Sequence, residues 1–334
     1  MITRNDVAKR AGVSVGTVSN VMNNKSFVKP EHVEKVRKAI EELNYIPDFN
    51  AKSMARRRNN HIGIALYEMT NPYHAEIIQG IEEYAAQHNF MTTIFVLNNT
   101  SHQKYHAICE RRLDGLVNFM TNDLPRAFTA ELKRQQIVLV NFSPEDSFMI
   151  VNDYTPPMRE FMRLLQEGGH RKVAYLWTGD EMRFRSDKRG KTFLEEREKY
   201  GFDSDESLIL FNEDMTLTSE QIGYRLCKRL LQRHPDVTAV FCTNDLAALG
   251  ALRCLGEAGR RCPEDVSVIG CDDIALGEYF NPPISTISFD KRAHGADIAQ
   301  MIIEKVADPE SHPYHTVVVP MHVKLRQSIA PAKN

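Results

Sequence analysis

The chain has 334 residues, 42% of them hydrophobic and 26% charged, as in a soluble globular protein with two or three domains. It starts without an apolar signal region and holds no apolar run of membrane-spanning length, so we expect a cytoplasmic protein rather than a secreted or membrane-embedded one. The six cysteines lack CxxC and metal-finger spacing, which indicates reduced thiols and predicts neither a metal site nor a cofactor.

The net charge of −2 hides an asymmetry along the chain. Residues 1–60 hold 12 Lys and Arg against 6 Asp and Glu, whereas the remaining residues hold 30 against 38. A basic head on an acidic body is typical of a small phosphate-binding module attached to a body that does not bind nucleic acid.

Residues 3–23 predict two short amphipathic helices. Thr3 is placed to cap the first helix together with Asp6, and Gly12 to end it in a left-handed conformation. Ser14 is placed to cap the second helix, and both helices carry an apolar stripe at helical spacing. Two such helices joined by a short turn that contains glycine form a helix-turn-helix. The alternative is an ordinary helical hairpin within a larger core.

The outward side of the second helix favours DNA binding over that alternative. Val15, Gly16, Thr17 and Asn20 are small or polar, as insertion into a major groove requires. Val15, Gly16 and Asn20 are the candidate base contacts. Phosphate contacts are expected from main-chain N–H groups at the helix starts and from nearby side chains, namely Thr3, Ser14, Thr17, Ser19 and Asn23.

A third helix is predicted over Pro30–Leu43, where proline suits the first turn and an apolar stripe faces the first two helices. The run AGVSVGTVSNVMN followed by PEHVEKVRKAIEELNYIP resembles the head of the lactose-repressor/galactose-repressor (LacI/GalR) family. Further motifs follow in the family's order: NPYHAEIIQGIEEYAAQHNF, EGGHRKVAYL, TNDLAALGALRCLGEAGRRCPEDVSVIGCDDIALGEYFNPPISTI and VPMHVKLRQSIA. In the family the outermost base-reading position is commonly arginine, so Asn20 departs from it and suits adenine instead.

The segment Asp48–Arg56 predicts a short helix, too short to be stable alone. The resemblance implies a hinge helix that orders on operator DNA, pairs with its dimer mate and wedges an apolar residue into the minor groove. Its candidate contacts are Lys52, Ser53 and the wedge Met54, where leucine is usual. The alternative is a plain linker, which the basic run Arg56–Asn60 also resembles.

From His61 onward, buried strands alternate with helices, which predicts two doubly wound parallel sheets. The first series of strands is Ile62–Leu66, Met91–Val96, Gly115–Phe119 and Ile137–Asn141. The second series is Lys172–Leu176, Ser207–Leu210, Ala239–Cys242 and Val266–Gly270. No G-x-G-x-x-G turn opens either series, so dinucleotide binding lacks its fingerprint. Such two-lobed α/β bodies resemble periplasmic sugar-binding proteins, which hold a ligand between the lobes.

The expected organisation is therefore an all-α helix-turn-helix headpiece (1–46), a hinge helix and linker (47–60) and a two-lobed, periplasmic-binding-protein-like body (61–334). We expect lobe 1 over about 61–153 and 285–316, and lobe 2 over about 154–284 and 317–334. The chain is expected to cross between the lobes near Ile284–Ile287 and again near His315–Val319.

Most candidate effector residues lie at or just after the carboxyl ends of predicted strands, where open α/β sheets bind ligands, and the resemblance adds Arg189. They are Asn71, Tyr73, Asn141, Phe142, Arg189, Asn244 and Asp272. The resemblance implies that Arg189 contacts the effector, forking onto a carboxylate, a phosphate or vicinal hydroxyls, and that Asp272 accepts hydroxyl hydrogen bonds. The alternatives are a solvated arginine, a helix-capping aspartate and, for Phe142, a core position. Asn152-Asp153 and Pro156-Pro157 depart from the family pattern, which puts the ligand chemistry there in doubt.

The resemblance implies a homodimeric transcription regulator that grips a near-palindromic operator under control of a small molecule, expected to be a sugar or sugar derivative. Control by a phosphorylated carrier protein docking on lobe 1 is an alternative within the same family. A sugar-binding enzyme is the alternative of another class, but no G-x-S-x-G, P-loop or H-E-x-x-H motif supports it. No leucine-rich heptad tail follows Ser328, which disfavours a helical tetramerisation bundle.

Overall fold

The computed structural model describes residues 2–22, 25–45, 58–67, 69–97, 102–120, 124–212, 214 and 216–333. The chain divides into two compact units, residues 1–60 and residues 61–334. The candidate contacts Asn23, Lys52, Ser53 and Met54 lie outside the described residues, as does the predicted hinge helix. No described helix combines the length and the apolar character needed to span a membrane.

The first unit holds the three predicted helices, α1 (Arg4–Ala11), α2 (Val15–Met22) and α3 (Pro30–Glu42). The predicted capping box of α1 is confirmed, because the Thr3 and Asp6 side chains each accept from the other residue's main-chain N–H. Gly12 ends α1 at a φ of 65°, a conformation that glycine adopts without steric cost. The small core of the unit holds Val7, Ala8, Val18, Val21, Val36, Ala39 and Tyr45.

The second unit begins with a parallel four-stranded sheet in the order β2-β1-β3-β4. Its strands are β1 (His61–Leu66), β2 (Met91–Val96), β3 (Gly115–Phe119) and β4 (Val138–Val140). The helices between them are α4 (Pro72–Gln87), α5 (His102–Cys109) and α6 (Arg126–Arg134). β1 is buried along five of its six residues, as expected for the central region of a sheet covered on both faces.

A second sheet of six strands follows in the order β12-β10-β9-β8-β6-β7, parallel except where β12 pairs antiparallel with β10. Its strands are β6 (Val173–Trp177), β7 (Ile209–Phe211), β8 (Ala239–Cys242), β9 (Ser267–Cys271), β10 (Ser285–Ser288) and β12 (His322–Lys324). The helices of this part are α7 (Thr155–Glu167), α8 (Glu181–Ser186), α9 (Lys188–Glu196), α10 (Ser219–Arg233) and α11 (Asp245–Glu257). The strand expected from residue 207 starts at Ile209, because a 3-10 turn over Glu206–Leu208, capped by Asp205, precedes it.

The chain connects the two sheets through β5 (Met149–Asp153), β11 (Thr316–Pro320) and the helix α12 (Lys291–Ala307). β5 and β11 pair in parallel as a separate two-stranded sheet. α12 packs against α4 so closely that a Cβ on Gly80 would lie 2.0 Å from the main-chain oxygen of Arg292. Residues 285–288, expected in lobe 1, instead pair with β9 in the second sheet as the buried strand β10, so the return to the first sheet begins after Ser288.

Candidate nucleic-acid interface and ligand site

The start of α2 is the exposed edge of the helix-turn-helix. Ser14, Val15 and Gly16 are exposed there, while Val18 and Val21 on the opposite side are buried in the core of the unit. The first turn holds no acidic residue. A helix N-terminus that presents small, uncharged side chains and unpaired N–H groups favours phosphates and leaves room for base edges.

Hydrogen bonds fix the geometry of this edge. Ser14 Oγ accepts the main-chain N–H of Thr17 at 3.1 Å, and the two hydroxyl oxygens lie 2.9 Å apart. At the start of α1 the Thr3 hydroxyl donates to Asp6 Oδ2 at 2.7 Å, and the Thr3 hydroxyl and main-chain N–H together lower the pKa of the Asp6 carboxyl. Ser19 and Asn20 are half-buried on α2. Base and phosphate contacts by these residues stay predictions.

In the second unit, polar side chains gather where strands of both sheets end. Asn152 Nδ2 donates to the Tyr154 hydroxyl at 3.1 Å and to the Tyr73 hydroxyl at 3.4 Å. Tyr73 lies on α4 after β1, and Asn152 lies on β5, so this contact links elements of the first sheet to the crossover. We name this group the strand-end cluster, and its members are Tyr73, Asn152, Tyr154, Trp177, Arg189 and Asp272.

Arg189 lies at the centre of the strand-end cluster, with its side chain 13% exposed. Its Nε and Nη2 fork onto the two carboxylate oxygens of Asp187 at 2.9 and 3.0 Å, and Nη1 donates to the main-chain oxygen of Thr243 at 2.7 Å. Its Cζ lies 4.7 Å from the ring centroid of Tyr154 and 5.0 Å from that of Trp177. The fork that sequence analysis assigned to a ligand is therefore occupied by this chain's own carboxylate.

The charge of Asp187 is set by that arginine. Burial acts to raise the pKa of the Asp187 carboxyl, but the Arg189 guanidinium outweighs it and holds the pKa below its ordinary value. Asp187 also caps α9 by accepting the main-chain N–H of Arg189 at 2.8 Å. One carboxylate thus caps a helix and neutralises the arginine two residues later.

Asp272 follows β9 directly, as predicted, and adopts a φ of 112°. Burial, with a further contribution from Asp245, raises the pKa of the Asp272 carboxyl to about 8. The main-chain oxygens of Asp272 and Asp273 accept from Lys291 Nζ at 2.8 and 2.9 Å. Lys291 Nζ also lies 3.5 Å from a carboxylate oxygen of Glu76 on α4, so it ties the end of β9 to a helix of the first sheet.

Three of the predicted effector residues have structural partners in the protein. Asn71 caps α4 by accepting the main-chain N–H of Tyr73 at 3.0 Å. Asn244 caps α11 in the same way, accepting from Ala247 at 2.8 Å. Asn141, at a φ of 61°, accepts the main-chain N–H of Ile150 at 2.8 Å. Their contact with an effector stays a prediction.

Phe142 packs beside a core cluster of the first sheet that includes Leu139, as the core alternative expected. Neither Trp177 nor Asn152 is among the effector residues expected from the sequence, although both lie in the strand-end cluster. Trp177 Nε1 and Asn152 Oδ1 are buried and have no hydrogen-bond partner in the described part of the chain. A detectable signal existed, because Trp177 is the only tryptophan and ends a buried strand of the second sheet.

Comparison with known proteins agrees with this architecture. Residues 3–48 match the family model for bacterial regulatory proteins of the lacI family, and residues 162–329 match that for a periplasmic binding protein-like domain. The HTH-type transcriptional repressor PurR of Vibrio atlanticus (strain LGP32) is 32% identical over 322 residues, covering 93% of each chain. The repressor of the same name from Pasteurella multocida (strain Pm70) is 30% identical over 341 residues, covering 97% of each.

Solved structures are similar over almost the whole length. The transcriptional regulator CelR in complex with cellobiose superposes with a TM-score of 0.68 at 26% identity, over 98% of this chain and 100% of that one. The lac repressor dimer bound to operator and the anti-inducer ONPF superposes with a TM-score of 0.81 at 24% identity, over 98% and 99%. The similarity to the lac repressor shows a shared fold. The helix-turn-helix, the α/β body and the relatives that match along nearly the whole length together show that the chain belongs to the lacI family of bacterial regulatory proteins.

Proposed function

We propose that this protein is a transcriptional repressor that binds a near-palindromic operator as a homodimer and releases or tightens its grip when a small molecule binds the strand-end cluster. The observation that carries the proposal is the exposed start of α2, where Ser14, Val15 and Gly16 form an acid-free edge on a helix-turn-helix. The relatives that match over the full length are named repressors, which supports repression as the outcome.

The ligand half of the proposal has a thermodynamic basis. A ligand changes operator affinity only if it binds two arrangements of the protein unequally. The strand-end cluster is suited to this, because Tyr73 belongs to the first sheet's helix layer while Trp177 and Asp272 end strands of the second sheet. A sugar or sugar derivative is the proposed ligand class, supported by the cellobiose named with the CelR structure.

The proposed arrangement keeps residues 1–46 as the headpiece, 47–60 as the segment that pairs across the dimer on DNA, and 61–334 as the ligand-binding body. We propose no catalytic activity for the chain. If a sugar that binds the strand-end cluster were also converted to a product, the chain would be an enzyme and this part of the proposal would be wrong.

The proposal is tested by selecting duplex DNA from a random pool with the full-length protein, in the presence and absence of a panel of sugars and sugar acids. We expect one palindromic site to be enriched and its binding to shift with one compound. Gly16→Glu places a carboxylate where phosphates would lie, so this variant should lose the enriched site. The matched control is Gly256→Glu on α11, where an added Cβ meets open space, and it should retain the site.

Either of two results would contradict the DNA-binding proposal. One is that wild-type protein enriches no sequence under any condition. The other is that the Gly16→Glu variant enriches the same site as wild type with equal affinity, since the start of α2 would then not contact DNA.

A further inference from the structure

We propose that the ligand of the strand-end cluster is neutral, because the buried cations Arg189 in the cluster and Lys291 beside it are already paired with carboxylates of the same chain, and the Trp177 indole N–H is left to hold an uncharged acceptor. This inference rests on the proposed function, since it concerns the same ligand site. It excludes carboxylates and phosphates as groups bound by Arg189, and it favours hydroxyl, ring-oxygen or carbonyl acceptors.

The first buried cation is Arg189. An arginine recognises a carboxylate or phosphate through two parallel N–H groups of its planar guanidinium. Here Nε and Nη2 make that forked contact with Asp187, and Nη1 is held by the main-chain oxygen of Thr243. An incoming anion would have to displace Asp187 and leave its half-buried carboxylate without its partner, which is unfavourable.

The second buried cation is Lys291, which is 3% exposed. An ammonium group has three N–H donors. Two of them reach the main-chain oxygens of Asp272 and Asp273, and the third direction faces a carboxylate oxygen of Glu76 at 3.5 Å. Lys291 therefore has no donor left over for an anionic ligand.

Among the residues that the structure describes, the indole of Trp177 is a buried donor with unused hydrogen-bonding capacity, and Asn152 Oδ1 of the same cluster is an unused acceptor. The Trp177 side chain ends β6 at 5% exposure, and Nε1 has no acceptor in the described part of the chain. A buried N–H without an acceptor carries its full desolvation penalty until a ligand or water relieves it. A side chain at position 179 would crowd this N–H, since a Cβ on Gly179 would lie only 3.0 Å from Nε1.

Asp272 fits a neutral ligand equally well. Its carboxyl has a pKa raised to about 8 by burial, so at neutral pH it is largely protonated and can both donate and accept hydrogen bonds. A ligand carboxylate next to Asp272 would instead face like charge whenever Asp272 ionises. Neutral groups meet no such repulsion.

The test uses the full-length protein without DNA and reads the fluorescence of Trp177, the only tryptophan of the chain. Inorganic phosphate and acetate are titrated at constant ionic strength set with sodium chloride. Asp187→Asn removes the charge but keeps a good helix-capping side chain, and Asp187→Ser is a second uncharged cap. We expect no saturable change in wild type up to the highest concentration used and, in both variants, a saturable response to phosphate with a Kd at least about tenfold below that concentration.

Two controls connect that gain to Arg189. Asp180→Asn is the matched variant, because Asp180 caps α8 through the main-chain N–H of Arg183 at 2.8 Å and pairs with its guanidinium at 3.6 Å. It should behave as wild type. The double variant Asp187→Asn/Arg189→Gln should lose the phosphate response, because the freed guanidinium is gone.

Three results would overturn the inference: saturable binding of phosphate or acetate to wild type, no gain in either Asp187 variant, or an equal gain in Asp180→Asn. These outcomes are separate from those of the operator selection. Phosphate binding by wild type would leave the regulator proposal standing with an anionic ligand. A failed operator selection would remove the regulator proposal without changing the charge pairing that the fluorescence experiment measures.

Discussion

Replacing Asp245 with asparagine is expected to abolish much of the loss of stability that the second unit undergoes as the pH rises. Asp245 opens α11 and is fully buried. Its Oδ2 accepts the main-chain N–H of Ile274 at 2.9 Å and its Oδ1 accepts the Thr286 hydroxyl at 2.7 Å. Burial raises the pKa of the Asp245 carboxyl to about 7, because these two hydrogen bonds only partly offset the lost hydration.

The sign and size follow from linkage. The pKa of Asp245 is 3.8 in the unfolded chain and about 7 in the folded protein. At a pH between these two values the folded protein holds a proton at Asp245 that the unfolded chain has released. The contribution of Asp245 to the unfolding free energy is therefore fully present below pH 3.8 and is lost as the pH rises through 7, by about 4 kcal/mol in total. Roughly 3 kcal/mol of that loss falls between pH 5 and pH 9.

Asparagine carries no titrating proton, and its amide can accept from Ile274 while donating to the Thr286 oxygen. Urea denaturation followed by the fluorescence of Trp177 at pH 5, 7 and 9 measures the unfolding free energy of wild type and variant. Asp272 also lowers stability with rising pH, and it does so less in the variant because Asp245 helps to raise its pKa. The informative quantity is the difference between the two proteins, to which both carboxyls contribute in the same direction. We expect that difference to move in favour of Asp245→Asn by about 3 kcal/mol from pH 5 to pH 9.

The control is Asp205→Asn. The hydroxyl and main-chain N–H of Ser207 lower the pKa of this exposed carboxyl, so its contribution to stability is already complete above pH 5. The difference between this variant and wild type should stay constant from pH 5 to pH 9. A constant difference for Asp245→Asn as well would refute the reasoning, because the buried carboxyl would then ionise at its ordinary pKa.

Three further substitutions test other parts of the chain. Ser14→Ala removes the cap of α2 and should lower headpiece stability by about 1 kcal/mol, measured by the circular-dichroism melt; an unchanged melt would contradict the cap. Gly250→Ala puts a Cβ 2.0 Å from a main-chain oxygen of α10 and should cost about 1–3 kcal/mol in urea denaturation. Gly256→Ala on the same helix meets open space and should be neutral or stabilising by up to about 1 kcal/mol, and equal costs at both glycines would argue against close packing. Arg326→Met removes the partner of Asp273 Oδ1 at 2.6 Å but leaves Lys324 and the Ser288 hydroxyl on Oδ2, so it should cost about 1–3 kcal/mol in urea denaturation, whereas an unchanged midpoint would mean that the pair is not formed.

The elements that sequence reasoning predicted well depend on a few neighbouring residues. The capping box of α1 needs only Thr3 and Asp6, and its left-handed end needs only Gly12. The strands Met91–Val96, Gly115–Phe119 and Ala239–Cys242 were predicted with the bounds that the structure has. Each is a short apolar run between helices, a pattern that follows from strands buried within a layered sheet.

The crossovers between the sheets were harder, because their pairing partners lie far away in sequence. β5 pairs with β11 across more than 160 residues, and its residues are only half-buried, so no local apolar pattern marks it. β10 has the opposite difficulty. Its residues are fully buried, but nothing local in that run indicates which of two neighbouring sheets the strand joins.

The candidate ligand site shows a related limit. Strand ends led to Asp272 after β9 and to Tyr73 after β1, and the resemblance supplied Arg189, which lies on helix α9, but neither source gave the charge partners. The fork between Arg189 and Asp187 forms because Asp187 is extended, at ψ 139°, while Arg189 is helical, which brings two side chains of nearby residues together. Lys291 is buried, contrary to the usual behaviour of lysine, because two main-chain oxygens and Glu76 satisfy its donors.

The same lysine indicates how the ligand site can act on the first sheet. Lys291 holds the main-chain oxygens that follow β9, while Glu76 on α4 balances its charge. A ligand that takes a hydrogen bond from Asp272 therefore meets a residue whose backbone is tied to a helix of the other sheet. Such a ligand shifts the equilibrium between two arrangements of these elements, and the size of the shift cannot exceed the difference in its binding free energy for the two arrangements. Under the proposal of a neutral ligand, that difference comes from hydrogen bonds and aromatic contact at Trp177, Tyr73 and Asp272 rather than from a new salt bridge.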